Sequence, residues 1–222
     1  MNEKAKPSPL GTWTTSQFTY SNAFLNDGGP LVVLPRSLLG SWHGAVLPWT
    51  EELGRRFGER VADFLEGYFE RFTDFARATR ARGWFDVIPV KSGQAMVIGP
   101  ESGDCSARWL RSIPDGREYL LAISAIDPGA ETAVADAVLT MPDDAWSGLG
   151  KVFHIPDDEL VMLHAGSNGD WTDEVPPERP AAMGGRIVWR VPAGSYALRG
   201  ASIVVDEPGA GAELEACWLC RI

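Results

Sequence analysis

Histidine and cysteine are scarce in this chain, three of each in 222 residues. Three cysteines do not make a disulfide framework in a chain of this size, and they point to a reducing compartment, the cytoplasm. A zinc centre needs three or four convergent ligands. His43, His154 and His164 do not supply them by spacing, so no metal or cofactor is expected. Long apolar runs are missing too, and none approaches the ~20 residues of a membrane span. The opening MNEKAKPSPLGTW has lysines with no apolar stretch behind them, so a secretory signal is not expected. Phosphate-cradling loops of the Walker or dinucleotide kind are absent, as is a Gly-x-Ser-x-Gly elbow.

Basic residues are short in one region only. Residues 1–99 carry 11 Lys and Arg against 10 Asp and Glu, while residues 100–222 carry 9 against 20. The first half is therefore nearly neutral at +1, and the second, at −11, carries the whole of the net charge of −10. Nucleic acid is not expected as a ligand, because phosphate contacts need Lys and Arg. An acidic half would favour a basic protein partner and speed its encounter, or serve solubility alone.

What the chain does have is apolar content for a full core, 45% hydrophobic residues with nine Trp and nine Phe. The stretch Asn26–Ala45 organises the reading. Asn26-Asp27-Gly28-Gly29-Pro30 is a turn signal, and Leu31-Val32-Val33-Leu34 is apolar on both faces and too short for a helix. It reads as a strand buried on both sides and closed by Pro35, followed by one helical turn over Arg36–Gly40 and then Trp42-His43-Gly44. Thr50 opens a long amphipathic helix running to Arg82, with Phe57, Val61, Phe64, Leu65, Tyr68, Phe72 and Phe75 on one face.

Beyond Trp84 the period shortens to that of strands. They are expected over Phe85–Val90, Gln94–Ile98, Cys105–Ile113, Glu118–Ile126, Lys151–Ile155, Leu160–His164, Arg186–Val191, Ser195–Arg199 and Leu214–Arg221. A shorter helix is read over Glu131–Met141, and Ala165–Met183 is a long polar loop. Val87–Gly99 and Val188–Gly200 echo each other as strand, three-residue turn ending in glycine, strand. The expected fold is α+β: mostly antiparallel sheet, one long and one shorter helix, and two similar β-rich halves. Residues 1–26 form a tail and arm, 27–113 the first half with the long helix, and 114–222 the acidic second half, all in one compact unit.

Chemistry is thin. His154 and His164 on neighbouring expected strands could meet beside Asp157 or Asp158, which leaves a small-molecule or hydrolytic pocket open as one reading. Cys217 and Cys220 have metal-pair spacing, but on a strand they point to opposite faces. The carboxylates Asp143-Asp144, Asp157-Asp158-Glu159 and Asp173-Glu174 are ordinary turn formers taken alone. Two groups stand beside tryptophans, Asp143-Asp144-Ala145-Trp146 and Asp170-Trp171-Thr172-Asp173-Glu174. Aromatic anchors ringed by acids suit a protein interface, the ring for desolvated contact and the charge for steering. The other reading is that each tryptophan caps the core from its loop.

The wording Asp27-Gly28-Gly29-Pro30-Leu31-Val32-Val33-Leu34-Pro35, then Leu38-Leu39 and Trp42-His43-Gly44, resembles the bacterial immunity protein 21 family. Ile88-Pro89-Val90 with Gly93–Gly99 is similar to the same family, and Gly194-Ser195-Tyr196 with the strand Cys217–Arg221 is so more loosely. The resemblance implies a cytoplasmic antitoxin of a polymorphic toxin system, one that binds and blocks a cognate toxin domain and is not an enzyme. It carries over no interface residues.

Overall fold

Continuous apolar runs decide the architecture, because successive residues of a strand face opposite sides and both sides then need cover. The structure is a computed structural model that describes residues 13–14, 16–26, 28–46, 55, 58, 73–99, 105–123, 131–176, 179–207 and 210–222. Among these lie the strands β1 (Trp13–Thr14), β2 (Phe18–Tyr20), β3 (Phe24–Asn26), β4 (Leu31–Pro35), β5 (Phe85–Val90), β6 (Gly93–Ile98) and β7 (Cys105–Ser112). They continue as β8 (Glu118–Ile123), β9 (Ser147–Ile155), β10 (Glu159–His164), β11 (Asp173–Glu174), β12 (Gly185–Arg190), β13 (Gly194–Glu207) and β14 (Ala210–Arg221). One sheet runs β1-β2-β7-β8-β14-β13-β9, with β3 also on β7, and the other runs β11-β12-β10-β4-β6-β5. Strand pairing is antiparallel except between β11 and β12.

The two sheets face each other. Leu31, Val33, Met96, Ile98, Leu160 and Met162 of one meet Trp109, Leu120, Phe153, Leu198 and Leu219 of the other in a single cluster. The residues between them point outward, and those faces are covered as well. Val32, Leu34, Val97, Val161 and Leu163 pack with Trp42, Leu38 and Ala78. Tyr119, Leu121, Ile123, Leu214 and Ala216 pack with Val134, Ala135 and Val138 of helix α2 (Glu131–Thr140). The fold is thus a sandwich with both outer faces capped, which is why β4 and β8 are buried throughout.

The mostly antiparallel sheets, the shorter helix and the doubly buried strand Leu31–Pro35 agree with the sequence. The long helix does not. Helix α1 covers only Asp74–Ala78, and Thr73 caps it in an extended conformation, φ −72° and ψ 154°, accepting from the Ala76 amide. A helix cannot run through an extended residue, so Thr50–Arg82 is not one continuous helix. Arg80 and Arg82 lie beyond its end, and most of residues 50–72 lie outside the described ones.

Two other expectations change. The echo of Val87–Gly99 in Val188–Gly200 is not a repeated hairpin. β5 pairs β6, whereas β12 pairs β10 and β13 pairs β9 and β14, so the chain crosses between sheets at residues 191–193. Asp158 steers that crossing, its carbonyl accepting from Val191 and its carboxylate from Ala193. Both sheets draw strands from either side of residue 113. β13 and β14 are also far longer than expected, because their distal half overhangs the facing sheet. Ile203, Val205, Ala212 and Leu214 still pack under α2, but Ser202, Val204 and Glu213 on the other side meet solvent.

Gly44 shows how tightly the capping segment seats. It has φ +59°, and a Cβ there would lie 2.3 Å from the Ser167 carbonyl oxygen. Gly116 has φ +66° with nothing within 4 Å. Gly116→Ala is expected to cost about 1–2 kcal/mol of backbone strain. Gly44→Ala adds the displacement of a carbonyl and is expected to cost about 3 kcal/mol or more in urea unfolding. Equal costs for the two variants would show that the segment is not clamped.

Candidate functional site

The turn after β10 is built by residues far from it in sequence. The Gly166 amide donates to His164 Nδ1 at 3.1 Å, so His164 Nε2 carries the proton it gives to the Gly28 carbonyl at 2.9 Å. The Trp42 indole donates to the Ala165 carbonyl at 3.1 Å, Ala45 to Gly166 at 3.0 Å, and Gly169 to the Trp42 carbonyl at 2.8 Å. Gly169 is required by close approach, since a Cβ there would stand 2.2 Å from the Leu39 carbonyl oxygen. The chain then closes a 3-10 turn over Gly169–Trp171, capped by the Asn168 side chain and followed by Thr172, whose hydroxyl donates to Gly169. Arg186 of β12 ties the Thr172 carbonyl from the other side.

This hydrogen-bonded turn presents Trp171 at 72% exposure. Met183, at 71%, leaves the sheet at the same corner: Trp171 and Met183 each stand two residues ahead of the paired positions Asp173 and Gly185. Asp170, Asp173 and Glu174 flank Trp171 in the chain and are exposed. Arg36 reaches Glu174 at 3.6 Å and Glu159 at 3.4 Å, which joins this corner to the acids at the start of β10. Asp157 and Asp158 there are partly occupied as turn formers, Asp157 accepting from the Ser37 amide and Asp158 from Ala193.

Trp146 is a correction. It is 3% exposed and packs between Tyr119 and Trp218, with ring centroids 5.5 and 5.8 Å away, so it is core and not an anchor. Asp143 beside it pairs with Arg117, and its carbonyl and that of Trp146 accept from Arg199. Asp144 is exposed, but on the face covered by α2 and not at the Trp171 corner. The expected partner residues therefore divide between two faces. Met183 was missed, since nothing local distinguishes it from any methionine in a polar loop.

His154 and His164 do not meet. β9 and β10 are consecutive in the chain but belong to different sheets. His154 is exposed and contacts Ser195 at 2.8 Å, while His164 is buried with both nitrogens bonded to backbone and Phe75 stacked on its ring. Asp158 stands at the opposite end of β10 from His164, so no pocket combines the three. All three cysteines are free, and burial pushes the Cys217 thiol far up. Among the described residues no three metal-binding side chains converge, and no helix is long and apolar enough to cross a membrane.

One buried charged network was not read from the sequence. Glu118, 4% exposed, accepts from the Trp109 indole and pairs with Arg111, whose guanidinium also donates to the Arg190 carbonyl at 3.0 Å. Trp109 stacks on Trp189, centroids 5.2 Å apart. Arg111 and Glu118 pair directly across β7 and β8, but no spacing in the chain announces that they meet Trp189 and Arg190 of β12. Comparison with family models, with curated proteins and with solved structures found no match.

Burial raises the Glu118 carboxyl above its ordinary value, outweighing the opposing pull of Arg111 and Trp109. Its folded form therefore favours the proton. The stability tied to that proton is fully present below the ordinary glutamate range and is lost as pH rises through the raised value. Glu118→Gln cannot titrate. Urea unfolding at pH 4 and pH 7.5 is expected to show wild type losing ground against E118Q at the higher pH. Wild type gaining ground at the higher pH would show that the ion pair, and not burial, governs this group, and a constant difference would show that the two cancel.

Proposed function

We propose that this chain is an immunity protein, an antitoxin that binds and neutralises a cognate bacterial toxin domain by protein–protein contact, without catalysis and without a cofactor. The observation that carries the reading is Trp171, held out to solvent by a turn whose backbone is already hydrogen-bonded. Binding there orders little that is not ordered beforehand, and rigid aromatic anchors are what interfaces concentrate their energy in. Asp170, Asp173 and Glu174 suit a partner with a basic face, as does the surplus of acids in residues 100–222.

The family resemblance supports the same reading from a different direction. Trp42 and Gly44, within the wording that carries the resemblance, are among the residues that clamp the loop leading to Trp171. On this reading the protein works in the cytoplasm, where its three free cysteines stay reduced.

The test is capture of a single partner by the purified chain from lysate of its own organism, at low and at high salt. Trp171→Ala with Met183→Ala is expected to weaken capture by roughly 30-fold, the size of one hot spot of about 2 kcal/mol, with the melting temperature unchanged. Asp170→Asn with Asp173→Asn is expected to weaken capture at low salt and to matter little at high salt. Undiminished capture by the Trp171 and Met183 double variant would overturn this assignment of the face.

A further inference from the structure

We infer that the open edge of β12 is a second contact, which receives an extended polypeptide segment of the partner as an added strand. In naming the occupant as the partner's, this rests on the reading above; the edge and its cleft stand on their own geometry.

β11 covers β12 only at Gly185 and Arg186, and its last bond is Val175 N–H to the Arg186 carbonyl at 2.9 Å. Among the described residues no strand pairs with this side of Ile187–Arg190. Two hydrogen bonds fix which peptide groups point outward. Arg186 offers its carbonyl to Val175, and Arg190 offers its own to Arg111 across the gap. Val188, two residues from each, shares their direction, so its N–H and C=O face the opening. A bare stretch of edge like this is a template for another chain.

Beside that edge lies a cleft of about 320 Å³, between Tyr20 and Asn22 on one side and β12 on the other. Trp109 and Trp189, stacked on each other, line it. Trp189 is 9% exposed, and its indole N–H is buried without an acceptor among the described residues. Glu174 marks one end of the cleft and Arg190 the other, four residues or roughly 13 Å apart along the sheet. The occupant these groups fit is an extended segment with a large apolar side chain over the cleft, a basic residue toward Glu174 and a carboxylate toward Arg190.

The test uses the full chain against a displayed library of random 12-residue peptides. Wild type is expected to enrich peptides with a central aromatic or large aliphatic residue between a basic and an acidic one. Val188→Pro removes the outward N–H, and proline is tolerated on an edge whose N–H faces away from the ladder. It is expected to lower peptide affinity tenfold or more. Trp189→Phe is expected to lower it less, and Trp171→Ala not at all. Should V188P not fold, amide exchange at Val188 in wild type decides instead, slowing when a selected peptide is added. No enrichment, or peptides that bind V188P as well as wild type, would overturn the inference. Slow exchange at Val188 that depends on the concentration of the chain alone would assign the edge to a second copy and overturn it too. Peptides that need Val188, with no lysate partner sensitive to Trp171, would leave this site standing while removing the Trp171 corner.

Discussion

Burying β4 on both faces is the constraint on which the rest depends. Leu31 and Val33 enter the core between the sheets, and Val32 and Leu34 enter the outer layer. Each such side chain contributes about 1.5–3 kcal/mol when removed from water. A strand with apolar residues on both sides has no solvent face, so something must cover the outer one. The segment that follows does so within a few residues: the 3-10 turn Arg36–Ser41 and Trp42 fold back over the same strand.

That cover creates a second demand. Trp42 is fully buried, and a buried indole N–H and backbone need partners. They find them in the loop after His164, at the Ala165 carbonyl and the Gly169 amide. The turn that presents Trp171 is thereby tied to the strand at the centre of the sheet, and its exposure follows from the packing beneath it. Exposure of one large ring at a rigid corner, beside acids, is a different physical situation from a mobile loop that happens to contain tryptophan. The backbone of this corner is already fixed by hydrogen bonds within the fold.

The network around Glu118 follows the opposite logic. A carboxylate placed in the sandwich core costs more than an apolar residue would, and a guanidinium and an indole only partly offset that cost. Arg111 also bridges to the Arg190 carbonyl, so the network spans the two sheets at the side where β12 is left open. Charge on this acidic chain is thus placed in two ways: exposed at the Trp171 corner, and buried behind the cleft as a fixed strut.

Much of the fold was legible because a short apolar run bounded by turn residues is a local signal. Strands expected over Phe85–Val90, Glu118–Ile126 and Leu160–His164 match β5, β8 (Glu118–Ile123) and β10 (Glu159–His164), and the glycine and proline turns between them follow from backbone preference. The overhanging half of β13 and β14 was hidden, because Ser202, Val204 and Glu213 break the expected burial on one face while Ile203 and Leu214 keep it on the other. The helix before Arg82 was overread. The Phe-rich period continued through Thr73, but that residue is extended and starts a new turn instead.

The candidate site shows the same division. Trp146 and Trp171 look alike in sequence, each close to aspartates in a turn-forming stretch. By itself the sequence determined that such turns exist, that the second half is acidic, and that Leu31–Leu34 must be buried on both sides. Only the tertiary structure decided that Trp146 meets Tyr119 and Trp218 in the core while Trp171 stands in solvent with Met183. Turn chemistry and charge are properties of neighbouring residues, whereas burial is set by strands brought together from distant parts of the chain.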